Sequence, residues 1–186
     1  MTEKTDEEIA QQVQGGDTES FGQLVSRYEP KMTRYARRFL FDGEDVRDIV
    51  QEVFIKAYVN IKSLDTSRRF SPWIYRIAHN EFINAIKKKG RDKSLPFDFD
   101  LIFPHPVARE TADREATVND LRRMLDQSLD QLDAKYREPL VLYYFEEMEY
   151  GEIAEILKIP ISTVGIRLRR GKQQLKKIVT TLDKTL

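Results

Sequence analysis

With 186 residues, no cysteine and only two histidines, His79 and His105, the chain offers no disulfide framework, thiolate nucleophile or Cys-ligated metal site, and little scope for an imidazole cage. Its 31 Lys and Arg balance 31 Asp and Glu, but the signs are segregated: residues 68–93 hold eight bases and two acids, and residues 158–177 hold seven bases and no acid. Two basic islands in an otherwise acidic chain suggest two polyanion contacts and other surfaces suited to a basic partner, although either island alone also fits a solvated helix end.

The polar, acidic start from Met1 to Glu8 is unlike a secretory signal. The longest apolar run, Pro139 to Phe145, falls far short of the roughly 20 helical residues that cross a bilayer. A cytoplasmic protein without membrane insertion is expected.

A first helical block spans about Thr5 to Gly90. Thr5-Asp6-Glu7-Glu8 is a capping-box pattern opening one helix, and Gly15-Gly16-Asp17 closes it and supplies Asp17 as the next cap. Phe21, Leu24, Val25, Tyr28, Met32, Tyr35, Ala36 and Phe39 recur at three- and four-residue steps, forming one buried stripe. Phe41-Asp42-Gly43 breaks the pattern. It resumes from Asp45 to Ile61, with Val46, Ile49, Val50, Val53, Phe54, Ala57 and Ile61 facing inward. Lys62 to Arg69 reads as a loop, followed by a helix over 71–89 that buries Trp73, Ile74, Ile77, Ala78 and Phe82, with Pro72 acceptable in its first turn.

From Arg91 to Thr111, Pro96, Pro104 and Pro106 lie among Phe97, Phe99 and Phe103 without a sustained period, which reads as an extended linker. The second block, 112–186, returns to helices: one carrying Val118, Leu121, Leu125, Leu129 and Leu132, one from Pro139 to Glu147, then a pair after Glu149. The fold class is all-α, with two small helical domains, 1–90 and 112–186, joined by an extended linker, 91–111.

The last pair is a helix-turn-helix candidate: Tyr150 to Leu157, the turn Lys158-Ile159-Pro160, and a helix from Ile161 to Ile178, with Ala154 at the crossing and Val164 returning an apolar side chain. At about 100° per residue, Leu168, Gly171, Leu175 and Ile178 fall within about 40° of Val164 and define the buried face. Ser162, Ile166, Arg169, Gln173 and, at the flank, Arg170 point the other way. Arg, Ser and Gln beside an exposed Ile that can meet a thymine methyl suit a major groove, with Lys172, Lys176 and Lys177 nearer phosphates. In the first block, Arg76, Asn80, Asn84 and Lys87 or Lys88 form a polar stripe, expected opposite Trp73, Ile74 and Ile77. Its amides suit base edges and its cations the backbone. The loop before it offers a place for an extruded base, though a capped surface helix explains the stripe equally well.

Together these residues resemble the bacterial sigma-70 family, in its extracytoplasmic-function group, which keeps only regions 2 and 4. Gly16-Asp17 with Ser20-Phe21, Leu24-Val25 and Arg27-Tyr28 looks like the start of region 2. Asp45 to Phe54 is similar to the family's polymerase-binding helix, and Phe70 to Asn80 to its minus-ten recognition helix. Leu132 to Pro139 with the helix-turn-helix resembles region 4, the reader of the minus-thirty-five element. The resemblance implies polymerase contacts at Asp48, Gln51 and Glu52, with Asp45 ahead of them. It implies minus-ten contacts at Arg69, Arg76, Asn80, Asn84, Lys87 and Lys88, with Asn80 on the separated non-template strand. It implies minus-thirty-five contacts at Ser162, Thr163, Ile166, Arg169, Arg170, Lys172 and Gln173. Core RNA polymerase, promoter DNA and an anti-sigma factor follow as partners, and the linker as a segment threading toward the RNA exit path.

The chain departs from the family at Asn84, where Asp is usual, at Gly165-Ile166, where Lys or Arg precedes Ser, and at Pro72, where Ser or Thr is commoner. Gly165 costs about 1 kcal/mol of helix propensity relative to Ala and removes a DNA contact, so weaker or altered minus-thirty-five binding is expected. No catalytic residue, metal or cofactor is expected: no phosphate loop, HExxH or nucleophile elbow occurs. The alternative is a helix-turn-helix regulator that never serves as a polymerase subunit, which would explain only the second block.

Overall fold

The computed structural model describes residues 3–38, 43–91 and 118–183, and all regular structure among them is helical. The helices are α1 (Asp6–Gln14), α2 (Phe21–Arg37), α3 (Gly43–Asn60), α4 (Phe70–Arg91), α5 (Val118–Asp130), α6 (Ala134–Tyr144), α7 (Tyr150–Leu157) and α8 (Ile161–Asp183), with 3-10 turns at Thr18–Ser20 and Ile61–Ser63. They fall into two compact units, the first built on α1 to α4 and the second on α5, α6, α8 and the start of α7. Apart from Arg91, which ends α4, the expected linker lies outside the described residues, as do Phe39, Phe41 and Asp42.

In the first unit α1 opens with the expected capping box: Thr5 Oγ1 accepts from Glu8 N at 3.2 Å, and Glu8 Oε2 from Thr5 N at 2.8 Å. Gly16, at φ 108°, takes the backbone conformation a side chain resists, and releases the chain into the 3-10 turn. Asp17 caps that turn through Ser20, whose hydroxyl and amide hold its carboxyl below the usual range.

The core of this unit is aromatic. Tyr28 meets Phe70 edge-on at 5.1 Å, Phe70 meets Trp73 at 5.6 Å, and Tyr35 lies 5.1 Å from Tyr75 and 5.2 Å from Phe82. Leu24, Met32, Val53, Ala57, Ile74 and Ala78 fill the space between, all fully buried. Val25, Ile49 and Ile77, expected inside, are only half-buried, whereas Tyr75 is fully buried. Pro72 is third in α4, in the first turn, where its missing N–H leaves no intrahelical bond unmade.

In the second unit Arg137 of α6 caps the end of α5: its guanidinium, 3% exposed, donates to the carbonyls of Asp130 at 3.0 Å and Leu132 at 2.8 Å. It takes up acceptors that a helix terminus leaves without partners. α6 runs from Ala134 to Tyr144, and not from Pro139 to Glu147 as expected. Proline favours a first turn, but here the Asp133 carbonyl starts the helix five residues earlier, accepting from Tyr136 N and Arg137 N at 2.9 Å each. Glu147, at φ 52°, turns the chain away before α7.

α8 extends past Ile178 to Asp183. Val164, Leu168 and Gly171 are buried as the wheel requires, and Leu175 and Ile178 are half-buried. Gly171 is where α8 crosses α6: a Cβ there would sit 3.0 Å from Leu140 Cδ1 and 3.2 Å from both Cβ and O of Tyr136. Gly165 is different, since its Cβ would make an ordinary 3.5 Å contact with the Tyr150 ring.

Gly171→Val is therefore expected to destabilise the second unit by about 1–3 kcal/mol, and Gly165→Ala to stabilise it by up to about 1 kcal/mol. Urea unfolding followed by helical circular dichroism reads both. A Gly171→Val chain as stable as the wild type would mean that α6 and α8 do not meet at this position.

Candidate nucleic-acid and protein interfaces

The inner side of α3 is apolar because Val46, Val50, Val53, Phe54 and Ala57 pack on α2 and α4. Its outer side carries the expected polymerase set, with Asp48 and Gln51 exposed and Asp45 and Glu52 half-buried. Two residues that sequence reasoning passed over share it: Ile55, 49% exposed, and Val59, 72% exposed. They follow Asp48 by seven and eleven residues, the helical repeat of one face, and that spacing was the available signal. Acid and aliphatic groups thus lie side by side on one solvated helix face. Beside it, a groove of about 540 Å³ runs between α2 and α3, lined by Glu29, Arg37, Val46, Val50, Gln51 and Phe54.

Glu52 is not an isolated acid. Lys56 Nζ lies 3.5 Å from it and 2.5 Å from Glu81 of α4, and the Glu81 hydrogen bond, ahead of the other contacts, raises the Lys56 pKa. Glu81 is nearly buried, so this ion pair ties α3 to the inner edge of α4.

On α4, Arg76 and Asn84 are exposed, Asn80 and Lys87 half-buried, and Lys88 exposed. Asn80 Nδ2 donates to the Arg76 carbonyl at 2.8 Å, which fixes the amide plane on the stripe. Of the expected opposition, Ile74 is fully buried away from the stripe, whereas Trp73 and Ile77 fall on its side by spacing, Trp73 nonetheless buried. Trp73, Ile77, Asn80 and Asn84 are spaced by four, three and four, so they share one side of α4, and the buried side is carried by Ile74, Tyr75, Ala78 and Phe82. The exposed stripe is thus polar, and Trp73, 8% exposed, is buried beneath its upstream end. Trp73 is held there by its contact with Phe70.

Upstream of Trp73 lies the 61–69 loop. Its tip is a tight turn in which Asp65 Oδ1 accepts from Ser67 N at 3.0 Å and Ser67 Oγ at 2.7 Å, and these bonds lower the Asp65 pKa. Leu64 points into the core, while Lys62, Arg68 and Arg69 are exposed. Small, cationic and stiff, the loop is suited to holding a base beside phosphates.

In the second unit Ser162, Ile166, Arg169, Arg170, Lys172 and Gln173 of α8 are exposed and Thr163 half-buried, so all seven expected residues lie on or beside the outer face. Ile166 is 45% exposed, an apolar group amid polar ones. The turn before α8 depends on Lys158 at φ 54°, and Ile159 N closes it on the Ala154 carbonyl at 3.1 Å. Among the described residues no cluster of three or more His, Asp or Glu is arranged to hold a metal, and no helix is long and apolar enough to cross a membrane.

The Sigma-70 region 2 family matches residues 24–92, and the Sigma-70 region 4 family residues 122–175. The extracytoplasmic-function RNA polymerase sigma factor SigW of Bacillus subtilis is 38% identical over 89% of this chain and 92% of its own. The chain belongs to the sigma-70 family, in its extracytoplasmic-function group. CnrH, solved in complex with the cytosolic domain of CnrY, is 26% identical, with a TM-score of 0.67 over 96% of this chain and 99% of CnrH. The sigma factor RpoE from Bartonella quintana, solved with the anti-sigma factor NepR, shares the fold at 23% identity, with a TM-score of 0.69 over 86% of this chain and 96% of RpoE. In this sigma factor, α1 lies ahead of the region 2 match.

Replacing Lys56 by Met leaves Glu81 nearly buried and short of its partner. With Lys56 itself 40% exposed, the expected loss is about 1–2 kcal/mol of first-unit stability, whereas Glu52→Gln is expected to cost less than about 0.5 kcal/mol. Urea denaturation at low and high salt measures both.

Proposed function

We propose that this sigma factor binds core RNA polymerase through the outer face of α3, captures unpaired minus-ten bases on the 61–69 loop and the α4 stripe, and sets α8 into the major groove of the minus-thirty-five element. Residues 1–90 and 112–186 act as the two functional domains and 91–111 as the linker. The observation that carries the reading is that one small unit presents two chemically opposed faces: acids with Ile55 and Val59 on α3, and cations with amides on α4. A plain helix-turn-helix regulator has no use for the first.

Holding extruded bases offsets an unpairing and unstacking cost of a few kcal/mol. Asn80 offers its amide to a base edge, and Arg69, Arg76, Lys87 and Lys88 their charge to phosphates. Asn84 supplies an uncharged hydrogen-bonding group where the family has an acid, which removes a repulsion toward the strand and alters base preference. On α8, Arg169, Arg170 and Gln173 read base edges, Ile166 a thymine methyl, and Ser162, Thr163 and Lys172 the backbone. Bond chemistry belongs to the polymerase, and the chain itself is not an enzyme. It works in the cytoplasm, where an anti-sigma factor competes for its surfaces.

Run-off transcription from a fragmented genomic library with core polymerase tests the reading: discrete new starts sharing two upstream motifs are expected only when the protein is added. Asp48→Arg and Val59→Ser are each expected to weaken polymerase binding at least tenfold without unfolding the chain, because the side chains are solvated until the partner covers them. Asn80→Ala is expected to leave polymerase binding intact and slow promoter opening. Full polymerase binding by Asp48→Arg would remove α3 from the interface, and no polymerase binding by the wild type would leave a plain regulator.

A further inference from the structure

The 61–70 segment is gripped from outside the region 2 match, by two side chains on one face of α1. Gln14 Nε2 donates to the carbonyls of Ile61 at 2.7 Å and Leu64 at 2.8 Å. Both partners are acceptors only, so the amide nitrogen must be the atom that meets them. Seven residues earlier, Glu7 Oε1 accepts from the backbone N–H of Phe70 at 2.8 Å. Phe70 opens α4, so Glu7 satisfies one of the donors that a helix start leaves without a partner. An anion at that position also favours the positive end of the helix dipole. Residues 7 and 14 stand two turns apart on one side of α1, with Ala10, fully buried, between them.

The grip is firm because α1 is itself anchored to α2. Arg27 bonds Asp6 at 2.6 Å and Glu3 at 3.0 Å, and the Tyr28 hydroxyl donates to Asp6 at 2.6 Å. Tyr28 in turn packs its ring on Phe70. A loop with no strand beside it thus has its entry at Ile61 and Leu64 and its exit at Phe70 held to one rigid bar. Between those points the Asp65 turn shapes the tip, its carboxylate accepting from Ser67.

We propose that Glu7 and Gln14 are positioning residues for strand capture: α1 holds the 61–70 loop in the shape that receives the extruded base. The proposal rests on the strand-capture reading above. Neither residue touches the strand; both act through backbone atoms of the loop. The chemistry required at each position is specific. Gln at position 7 can still accept from Phe70 N–H, whereas Glu at position 14 would set a carboxylate against two carbonyl oxygens.

The test uses the full chain assembled with core polymerase and a single-stranded oligonucleotide that the wild-type holoenzyme has selected from a random pool. Glu7→Ala and Gln14→Ala are expected to weaken its binding about five- to tenfold, the scale of one or two net hydrogen bonds. Gln14→Glu is expected to weaken it further, and Glu7→Gln to restore it, while affinity for core polymerase changes by less than about twofold. Brief trypsin treatment of the native chain gives a readout without DNA: the two alanine variants are expected to be cut faster after Lys62, Arg68 or Arg69. Unchanged oligonucleotide binding with unchanged cleavage, or an equal loss of oligonucleotide and polymerase binding, overturns the proposal. Asn80→Ala, run in parallel, separates the two ideas. Weakened binding there with none in the α1 variants rejects only the role of α1, and a wild-type holoenzyme that selects no strand rejects strand capture and this proposal together.

Discussion

The seating of α4 on α2 governs what the first unit offers to solvent. Phe70, Tyr75 and Phe82 lock against Tyr28 and Tyr35, all of them almost wholly buried. Aromatic rings packed edge-on or tilted tolerate little rotation of the helix that carries them. A turn of α4 by a fraction of a residue would break several such contacts at once, so the side bearing Arg76, Asn80 and Asn84 is held outward. The basic stripe is a consequence of core packing as much as of its own composition.

The same core sets α3 with its acids and aliphatics outward, and the Lys56–Glu81 pair ties the two helices where their inner edges meet. Two faces of opposite character on one small unit suit a protein that must join a basic protein partner and a polyanion together. In the second unit the close approach at Gly171 does for α8 what the aromatics do for α4, since a side chain there would press on Leu140 and Tyr136 of α6. Ile166 and Arg169 are turned outward as a result.

Much of this was legible in the chain. The capping box at Thr5, the loop at 62–69, the helix-turn-helix and the outward Ser162, Ile166, Arg169, Arg170 and Gln173 of α8 rest on local chemistry and on a 3.6-residue period, both of which survive any tertiary arrangement. The start of α6 was misread because proline's preference for a first turn at Pro139 was weighed above the cap preference of Asp133, whose backbone carbonyl opens the helix. Trp73 and Ile77 share the stripe's side by their spacing to Asn80, and Trp73 is buried there only because it packs on Phe70, a contact the helical period does not show. Ile55 and Val59 were passed over although they repeat the face of Asp48 at seven and eleven residues, because an aliphatic side chain carries no charge that marks a contact.

Sequence alone determined that the chain is helical, that its charge lies in two islands and that it carries sigma-70 regions 2 and 4, because periodicity, caps and motif spacing are properties of neighbours along the chain. Only the tertiary structure decided that Gln14 meets Ile61 and Leu64, that Glu7 meets Phe70 and that Lys56 meets Glu81. These contacts join residues 25 to 63 positions apart, and a hydrogen bond at that separation exists only once packing has brought its donor and acceptor within reach.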